Sequence, residues 1–245
     1  MIDIHTHVVY GIDDGASSEE MSRRMLASAA EQGVTDVFCT SHCVPGHSPF
    51  PLDTYLCHLE RLRDWTEKQD LNLRLWPGSE ILYTEQAAEM TRRGEIPTLA
   101  GGEYALVEFL PETPWATMEQ AIREFWSCGF RMVAAHVERY QCLREDLSRL
   151  EEMGRQGVLR QMNAATAIRS AQVLGDRWAR HALKGGLIDL VASDMHRVDW
   201  RPPNMGAAWD AIRKKYGSEM AARLMEENPR RLIPMSAAAD GRGGE

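Results

Sequence analysis

Histidines and carboxylates recur in this 245-residue chain in short motifs whose spacing suits metal coordination. His5-Thr6-His7 and Asp194-Met195-His196 each place two ligand-type side chains two residues apart. Alternate residues leaving a strand point the same way, so both side chains of a pair can reach one ion. Imidazole and carboxylate ligands without thiolate suit Mn²⁺, Fe²⁺ or Zn²⁺ and do not suit a closed structural zinc site. The pairs therefore predict a site for divalent metal, with Mn²⁺ as the first candidate.

Further residues of the same chemistry lie at, or in the loop after, the end of a predicted strand. The nine candidates are His5, His7, Asp14, His42, Glu80, Glu108, His136, Asp194 and His196. In parallel β/α barrels these strand ends converge on one face, which makes residues that are distant in sequence neighbours in space. Burying several carboxylates together without a cation is prohibitively costly, so the cluster predicts bound metal ions. His47, His58 and His181 fall in a loop or in helices, and we interpret them as ordinary surface residues.

Short apolar strands alternate with amphipathic helices along the whole chain. Seven strands are predicted, at 1–4, 34–40, 71–75 with a continuation toward Glu80, 104–109, 130–135, 158–162 and 187–192. Ser17 and Glu20 predict a capping box for the first helix, Asp53 predicts a cap for the second, and a third helix is expected at 84–93. This alternation favours a parallel sheet with helices outside, most simply closed as a barrel, with an open doubly wound sheet as the alternative. No Gly-x-Gly-x-x-Gly or Walker-type loop follows a strand, which removes the usual reason to prefer the open sheet.

Composition limits the class of protein. The chain has 44% hydrophobic residues, and we expect one domain over 1–234 followed by a disordered Ser/Ala/Gly-rich tail at 235–245. Lys and Arg total 28 against 36 Asp and Glu, a net charge of -8, and no basic stripe predicts nucleic-acid binding. Five cysteines without a Cys-x-x-Cys pair indicate neither a disulfide framework nor a zinc knuckle. No apolar stretch reaches the roughly 20 residues that span a bilayer, and no signal peptide is expected, so we predict a cytoplasmic protein without membrane insertion.

Several motifs together resemble those of the polymerase-and-histidinol-phosphatase (PHP) superfamily. They are His5-Thr6-His7, Gly11-Ile12-Asp13-Asp14-Gly15, Ser41-His42, Pro77-Gly78-Ser79-Glu80, Val107-Glu108-Phe109, His136-Val137-Glu138-Arg139 and Ser193-Asp194-Met195-His196. Within the superfamily, their order and spacing are similar to those of the manganese-dependent protein-tyrosine phosphatases encoded with bacterial capsule and exopolysaccharide genes. The resemblance implies a distorted seven-stranded (β/α)7 TIM-like barrel with three divalent metal ions.

Carried over by position, the resemblance also implies a role for each ligand. One ion is expected at His5, His7, Glu80 and Asp194, a second at Glu80, Glu108 and His136 with Glu80 bridging, and a third at Asp14, His42 and His196. Arg139 and Arg201 match arginines that bind the substrate phosphate in the family. The chain departs from the family pattern at Tyr10, Cys43, Val137 and Arg197, where proline, histidine, proline and asparagine are usual.

The expected reaction is hydrolysis of a phosphate monoester by a metal-activated hydroxide. Neighbouring divalent ions lower the pKa of a shared water and neutralise the charge on the phosphate oxygens. Arg139 and Arg201 can each pair with phosphate through two parallel hydrogen bonds. The resemblance implies a phosphotyrosine protein as substrate, namely a bacterial tyrosine kinase that controls polysaccharide export.

Other functions are weaker interpretations of the same residues. A phosphatase of histidinol phosphate or of another small molecule is the main alternative, and an exonuclease fits the acidic chain less well. A non-catalytic regulatory module is disfavoured because all nine ligand positions carry competent residues, and a hydrolase of C–N bonds leaves the arginine pair unexplained. A thiol-based phosphatase is rejected, because Cys57 and Arg63 have Cys-x5-Arg spacing but lie in a helical pattern without glycine.

Overall fold

A sheet of seven parallel strands forms the centre of the computed structural model, which describes residues 1–172 and 175–235. The strands are β1 (Ile2–Thr6), β2 (Asp36–Cys43), β3 (Arg74–Leu82), β4 (Tyr104–Glu108), β5 (Arg131–Ala134), β6 (Leu159–Asn163) and β7 (Leu190–Ala192). Each strand pairs with the next in sequence, and a parallel bridge between Thr6 and Met195 brings β1 to β7. The sheet therefore nearly closes, which confirms the predicted α/β barrel. The predicted tail lies outside the described residues apart from Met235.

Helices follow most of the strands and cover the outside of the sheet. They are α1 (Glu19–Glu31), α2 (Leu52–Lys68), α3 (Ala87–Arg92), α4 (Trp115–Ser127), α5 (Gln141–Glu145), α6 (Ser148–Arg155), α7 (Ala164–Ala171), α8 (Arg177–Lys184), α9 (Met205–Tyr216), α10 (Ser218–Ala222) and α11 (Asn228–Arg230). Short 3-10 turns occur at Leu99–Gly101 and Val137–Arg139, and a π-helical turn at Arg223–Glu227. Among the described helices, none combines the length and apolar character needed to cross a bilayer.

Two apolar clusters alternate along the strands. Val37 and Cys39 of β2 pack in one cluster with helix residues, whereas Phe38 between them belongs to a second cluster with Leu106 and Val133. Because side chains alternate across a strand, the first cluster lies between sheet and helices and the second fills the barrel interior. The interior face of β2 continues from Phe38 to His42. The apolar cluster in the barrel interior therefore ends where the predicted ligands begin.

Two strands extend further toward their carboxyl ends than the sequence predicts. The structure places His42 inside β2 and Glu80 inside β3, whereas both were expected just after the end of their strands. The Pro77-Gly78 pair favours a turn locally, but β3 pairs with β2 from Arg74 to Ile81 without interruption. A Cβ atom on Gly78 would lie 3.1 Å from side chains of β2 and of the Leu99–Gly101 turn, so a larger residue here would require these neighbours to shift by a few tenths of an ångström.

Three helix starts also differ from the sequence-based prediction. The cap of α1 is Ser18 rather than Ser17: the backbone before the helix is extended at Ser18, and its Oγ accepts the Met21 N–H at 3.2 Å. Asp53 lies within the first turn of α2, whose start has no side-chain cap. The helix predicted at 84–93 begins only at Ala87, after a turn in which the Ala87 N–H bonds to the Thr84 carbonyl.

Candidate metal centre

The barrel brings all nine predicted ligands to the carboxyl ends of its strands. His5 and His42 lie in β1 and β2, Glu80 and Glu108 in β3 and β4, and the others in the segments that follow a strand. Three groups of donor atoms have every atom within 4.8 Å of the others in its group. They are His5, His7, Glu80 and Asp194; His42, Glu80 and Glu108; and His7, Asp14, His42 and His196.

The first group is the most deeply buried of the three. Nε2 of His5 and Nε2 of His7 are 3.3 Å apart, and they lie 3.1 and 3.3 Å from Oε2 of Glu80. The same nitrogens lie 3.6 and 3.4 Å from Oδ1 of Asp194. All four side chains are at most 2% exposed. Two imidazoles and two carboxylates thus converge on one small space.

The surroundings of the Glu80 carboxylate indicate whether this space fits a cation. Its Oε2 is buried and has no hydrogen-bond partner in the described part of the chain, although nitrogens of His5, His7 and His42 lie within 3.3 Å of it. An unpartnered buried carboxylate oxygen is costly, because desolvation is not compensated. A bound divalent cation removes that cost, and a nitrogen and oxygen donor set suits Mn²⁺, Fe²⁺ or Zn²⁺. The residues present therefore fit a metal centre.

His42 adds a nitrogen to the second group. Its Nδ1 lies 3.1 Å from Oε2 of Glu80 and 3.4 Å from Oε1 of Glu108. His136 approaches from the other side, with Nε2 at 2.7 Å from Oε1 of Glu80 and 3.5 Å from Oε2 of Glu108. The resemblance places His136 with these two carboxylates, and the geometry adds His42 to them.

The third group lies nearest to solvent. Nε2 of His42 and Nε2 of His196 each lie 3.5 Å from Oδ1 of Asp14, a carboxylate that is 61% exposed. The His7 ring stacks on the His196 ring with centroids 3.9 Å apart. His42 thus presents one ring nitrogen to this group and the other to the second.

Asp13, which the sequence analysis left without a role, orients two of the histidines. Its Oδ2 accepts a hydrogen bond from Nδ1 of His7 at 2.8 Å and from the His42 N–H at 2.9 Å. Burial disfavours the charged Asp13 carboxylate, but the His7 contact and the N–H groups of His42 and Gly15 outweigh burial and lower its pKa to about 2. Asp13 is therefore an ionised acceptor that leaves Nε2 of His7 free to face the site.

Strand β6 supplies two more polar side chains that the sequence analysis missed. The Gln161 side-chain oxygen lies 3.2 Å from Nδ1 of His5 and accepts the His136 N–H at 2.6 Å. Its amide donates to Oδ1 of Asn163, and Nδ2 of Asn163 donates to Oδ2 of Asp194 at 2.8 Å. Gln161 and Asn163 have the same spacing of two residues as His5 and His7. That spacing at a strand end is the signal by which they can be found.

Neighbouring charges perturb the protonation of the cluster. Burial lowers the pKa of His136, but the carboxylates of Glu108 and Glu80 more than compensate and raise it to about 9. Burial lowers the pKa of His7, but hydrogen bonds that the ring donates to carboxylates, Asp13 first, outweigh burial and raise the pKa well above its usual value. His196 behaves oppositely: burial and the nearby charge on His7 lower its pKa to about 4. In the metal-free protein, protons on some imidazoles therefore balance the carboxylates.

Arg139 and Arg201 lie together at the rim of the cluster. Nη2 of Arg139 donates to Oδ2 of Asp194 at 2.6 Å, and Nη1 of Arg201 lies 3.5 Å from the same oxygen. Their side chains are 34% and 38% exposed. The Arg201 guanidinium also lies 4.7 Å from the ring centroid of Trp200. The two cations thus flank one carboxylate of the centre and remain accessible from solvent.

Backbone strain concentrates in the same region. His136, Asp194 and Arg201 have φ values of 30°, 54° and 51°. Left-handed backbone costs a non-glycine residue about 1–2 kcal/mol. Such strain persists where the surroundings hold it, as at functional sites. Here backbone hydrogen bonds help to hold it: Asp194 N–H donates to the His5 carbonyl, and the Arg201 carbonyl accepts the His196 N–H.

The remaining sequence-based interpretations have mixed outcomes. Cys57 and Arg63 both lie in α2, and Arg63 donates to the Leu75 carbonyl, so they form no anion-binding loop.

His58 was wrongly interpreted as an ordinary surface residue: it is half-buried, and its ring stacks on Tyr10 at a centroid distance of 3.9 Å. Nδ1 of His58 also bonds to the Tyr10 carbonyl. Tyr10 thus has a packing partner at a position where the family usually has proline.

Comparison with known proteins identifies relatives over nearly the whole chain. The tyrosine-protein phosphatase CpsB of Streptococcus pneumoniae is 36% identical over 239 residues, covering 95% of this chain and 98% of the relative. The tyrosine-protein phosphatase YwqE of Bacillus subtilis is 29% identical over 230 residues, covering 92% and 89%. One solved structure is described as belonging to the crystal structures of YwqE from Bacillus subtilis and CpsB from Streptococcus pneumoniae, unique metal-dependent tyrosine phosphatases. It superposes on this chain with a TM-score of 0.84 at 27% identity, and the match covers 95% of this chain and 94% of that one.

A family model agrees with these relatives. The model for capsular polysaccharide synthesis proteins, CpsB/CapC, matches residues 1–234. This range includes every strand of the barrel and every predicted ligand. The chain belongs to the CpsB/CapC family of capsular polysaccharide synthesis.

Proposed function

We propose that this chain is a metal-dependent protein-tyrosine phosphatase that acts, in the cytoplasm, on a tyrosine kinase regulating capsule or exopolysaccharide synthesis. The observation that carries the proposal is the convergence of imidazoles and carboxylates at one rim, where Arg139 and Arg201 both face Asp194. A cation cluster beside two accessible guanidinium groups suits a dianionic phosphate monoester. The relatives named as tyrosine-protein phosphatases support phosphotyrosine as the substrate group.

The proposed cofactor is a set of three divalent ions, Mn²⁺ first and Fe or Zn as alternatives. His5, His7, Glu80 and Asp194 would hold one ion, Glu80, Glu108 and His136 a second, and Asp14, His42 and His196 a third. When bound, such ions acidify water to a nucleophile and neutralise charge on the phosphate oxygens. Because His42 faces two groups through different nitrogens, it is a candidate to contribute to both.

The side chains of the chain itself have three roles in this proposal. Arg139 and Arg201 bind and orient the phosphate, each through a planar fork of N–H donors. Glu80 belongs to two ligand groups and would bridge the ions that they hold. Asp13 and Gln161 keep protons on the Nδ1 atoms of His7 and His5, so that the Nε2 lone pairs face the site.

The test compares substrates on protein that has been stripped of metal and then reloaded with Mn²⁺. We expect phosphate release from a phosphotyrosine peptide at a higher kcat/KM than from histidinol phosphate or from a phosphodiester, and only after Mn²⁺ is restored. Turnover of the diester alone would contradict the proposal. Preference for histidinol phosphate would instead assign the chain to the small-molecule phosphatases.

Elemental analysis of the purified protein tests the cofactor part separately. Three divalent ions per chain, mainly manganese, are expected. Incubation with an autophosphorylated bacterial tyrosine kinase then tests the partner: phosphotyrosine on the kinase should disappear with wild-type protein and persist with metal-stripped protein. Persistence with both proteins, despite activity on peptides, would contradict the proposed partner.

A further inference from the structure

A cavity of about 410 Å³ opens beside the two rim arginines and contains two more. Its lining includes Arg139 and Arg201, together with Arg144 and Arg169. The whole chain carries a net charge of -8, so an anionic partner gains no attraction from the overall charge. A pocket lined by four arginines therefore differs from the acidic chain as a whole and could attract an anion locally.

Arg144 is held close to the backbone of Arg139. Its Nη1 donates to the carbonyl of Glu138, the residue just before Arg139, at 3.2 Å, and to Oδ2 of Asp176 at the same distance. The guanidinium lies 5.4 Å from the ring centroid of Trp178. Three contacts thus fix this cation in the cavity wall and leave other N–H donors of its fork for a ligand.

Arg169 lies on α7, which begins directly after Asn163, the partner of Asp194. Its Nη2 donates to Oγ1 of Thr166 at 2.8 Å. Within residues 1–172 and 175–235, no carboxylate forms an ion pair with Arg169, and the residue is exposed. Arg169 shares its pocket with Asp194, a predicted metal ligand. It thus has spare N–H donors and, among the described residues, no carboxylate counter-ion.

Of the three acidic residues of the cavity wall, Asp176 and Asp194 are paired with arginines and Glu138 is buried. Asp176 caps α8 by accepting the Ala179 N–H and also contacts Arg144. Asp194 lies between imidazoles and Arg139. Glu138 is 8% exposed, and its Oε1 accepts the Asn163 N–H, although its Oε2 has no hydrogen-bond partner in the described chain. The groups that remain open to a ligand are therefore mainly guanidinium N–H donors.

We propose that Arg144 and Arg169 form a second anion subsite, which binds an acidic group of the substrate next to the phosphotyrosine. The inference rests on the proposed function, because it takes Arg139 and Arg201 as the binding site of the phosphate to be cleaved. A carboxylate of Asp or Glu and a second phosphate share the required chemistry, an oxyanion that accepts two N–H bonds. The subsite makes the enzyme selective for acidic or multiply phosphorylated segments.

The experiment measures kcat/KM of the Mn²⁺-loaded full chain on matched phosphotyrosine peptides. One peptide has only neutral neighbours, others carry Glu or phosphoserine on either side, and para-nitrophenyl phosphate serves as a substrate without neighbours. Wild-type protein should prefer at least one acidic peptide to the neutral one by about fivefold, the scale of one partly exposed ion pair, and less at high salt. A stronger preference for phosphoserine assigns the subsite to a second phosphate, and a stronger preference for Glu assigns it to a carboxylate.

Variants at the two arginines separate selectivity from folding. Arg169→Gln should abolish the preference for acidic peptides while leaving turnover of para-nitrophenyl phosphate unchanged, and Arg144→Gln should act in the same direction. The matched control is Arg155→Gln, an exposed arginine of α6 outside the cavity, which should keep the wild-type preference.

Two results overturn the inference. One is equal kcat/KM of wild-type protein on neutral and acidic peptides, and the other is an equal loss on all substrates in Arg169→Gln with unchanged Tm. In both cases wild-type protein still hydrolyses phosphotyrosine, so the proposed function is not contradicted. Absence of turnover on every peptide, the neutral one included, is instead a failure of the proposed function.

Discussion

The side-chain oxygen of Gln161 lies 3.2 Å from Nδ1 of His5 and determines which ring nitrogen carries the proton. The same oxygen accepts the His136 backbone N–H at 2.6 Å, and a backbone N–H can only donate. The Gln161 oxygen is therefore the acceptor for His5 as well, so Nδ1 is protonated. Nε2 then presents its lone pair to the cluster, as a metal ligand must.

Replacing Gln161 with leucine should weaken metal binding without unfolding the barrel. The variant removes the acceptor for His5 and His136, and loss of such an orienting partner lowers metal affinity by about 10- to 100-fold. Calorimetric titration of Mn²⁺ into stripped protein measures the change. Gln69→Leu, at an exposed position after α2, is the control and should bind as wild type does. Unchanged affinity in Gln161→Leu would show that His5 needs no help from β6.

A second prediction concerns the carboxylate behind His7. Asp13→Asn keeps the size of the side chain but removes the charge that stabilises the proton on Nδ1 of His7. We expect kcat on a phosphotyrosine peptide and affinity for Mn²⁺ to fall together by about 10- to 100-fold. Asp53→Asn, an exposed change in the first turn of α2, should have neither effect. If Asp13→Asn had the kcat of wild-type protein at saturating Mn²⁺, Asp13 would only stabilise the conformation of its loop and would not orient His7 for catalysis.

The rule that parallel strands end on one face was sufficient to predict where the ligands meet. His5, Glu108 and Asp194 are far apart in sequence, yet each is placed by its position at the end of an apolar run. That argument needs only the order of strands and tolerates errors in their ends. It therefore held for Glu80 even though β3 continues past this residue to Leu82.

The residues that orient the ligands were harder to predict, for physical reasons. Asp13 and Asp14 are adjacent and chemically identical, and only the loop conformation decides which one bonds to His7. Gln161 and Asn163 are not typical metal ligands, so a search for ligand types passes over them. The pairing of Arg139 and Arg201 on one carboxylate depends on two loops and was not predicted. The sequence pointed to the two arginines themselves only through a family resemblance.

Loss of a ligand itself should have a larger effect than loss of an orienting residue. Glu80→Ala and His136→Ala should each reduce phosphate release by more than about 100-fold, the upper end of the effect of orienting residues. The far-UV circular dichroism spectrum should stay close to that of wild-type protein. Exposed matched controls are Glu151→Ala and His181→Ala, which should keep full activity. Full activity of either ligand variant would contradict the assignment of that residue.

The stability of the metal-free protein should fall as the pH rises from about 6.5 to 9. Glu108 and Glu80 raise the pKa of His136 from 6.5 to about 9, against the effect of burial, so the folded state binds this proton more tightly than the unfolded chain. The resulting stabilisation is complete below the unfolded pKa and is lost as the pH passes through the folded one, with an upper limit of about 3 kcal/mol. Urea unfolding of stripped protein at several pH values measures the slope.

His136→Gln should remove part of this slope, and the raised pKa of His7 should leave the remainder. His181→Gln, an exposed change on α8, should leave the slope as in wild type. Loading with Mn²⁺ should flatten the dependence, because a metal ion replaces the protons and binds only deprotonated imidazole. A metal-free wild type whose free energy of unfolding is constant over this range would mean that His136 is neutral beside Glu80, and the charge balance of the empty centre would then need another source.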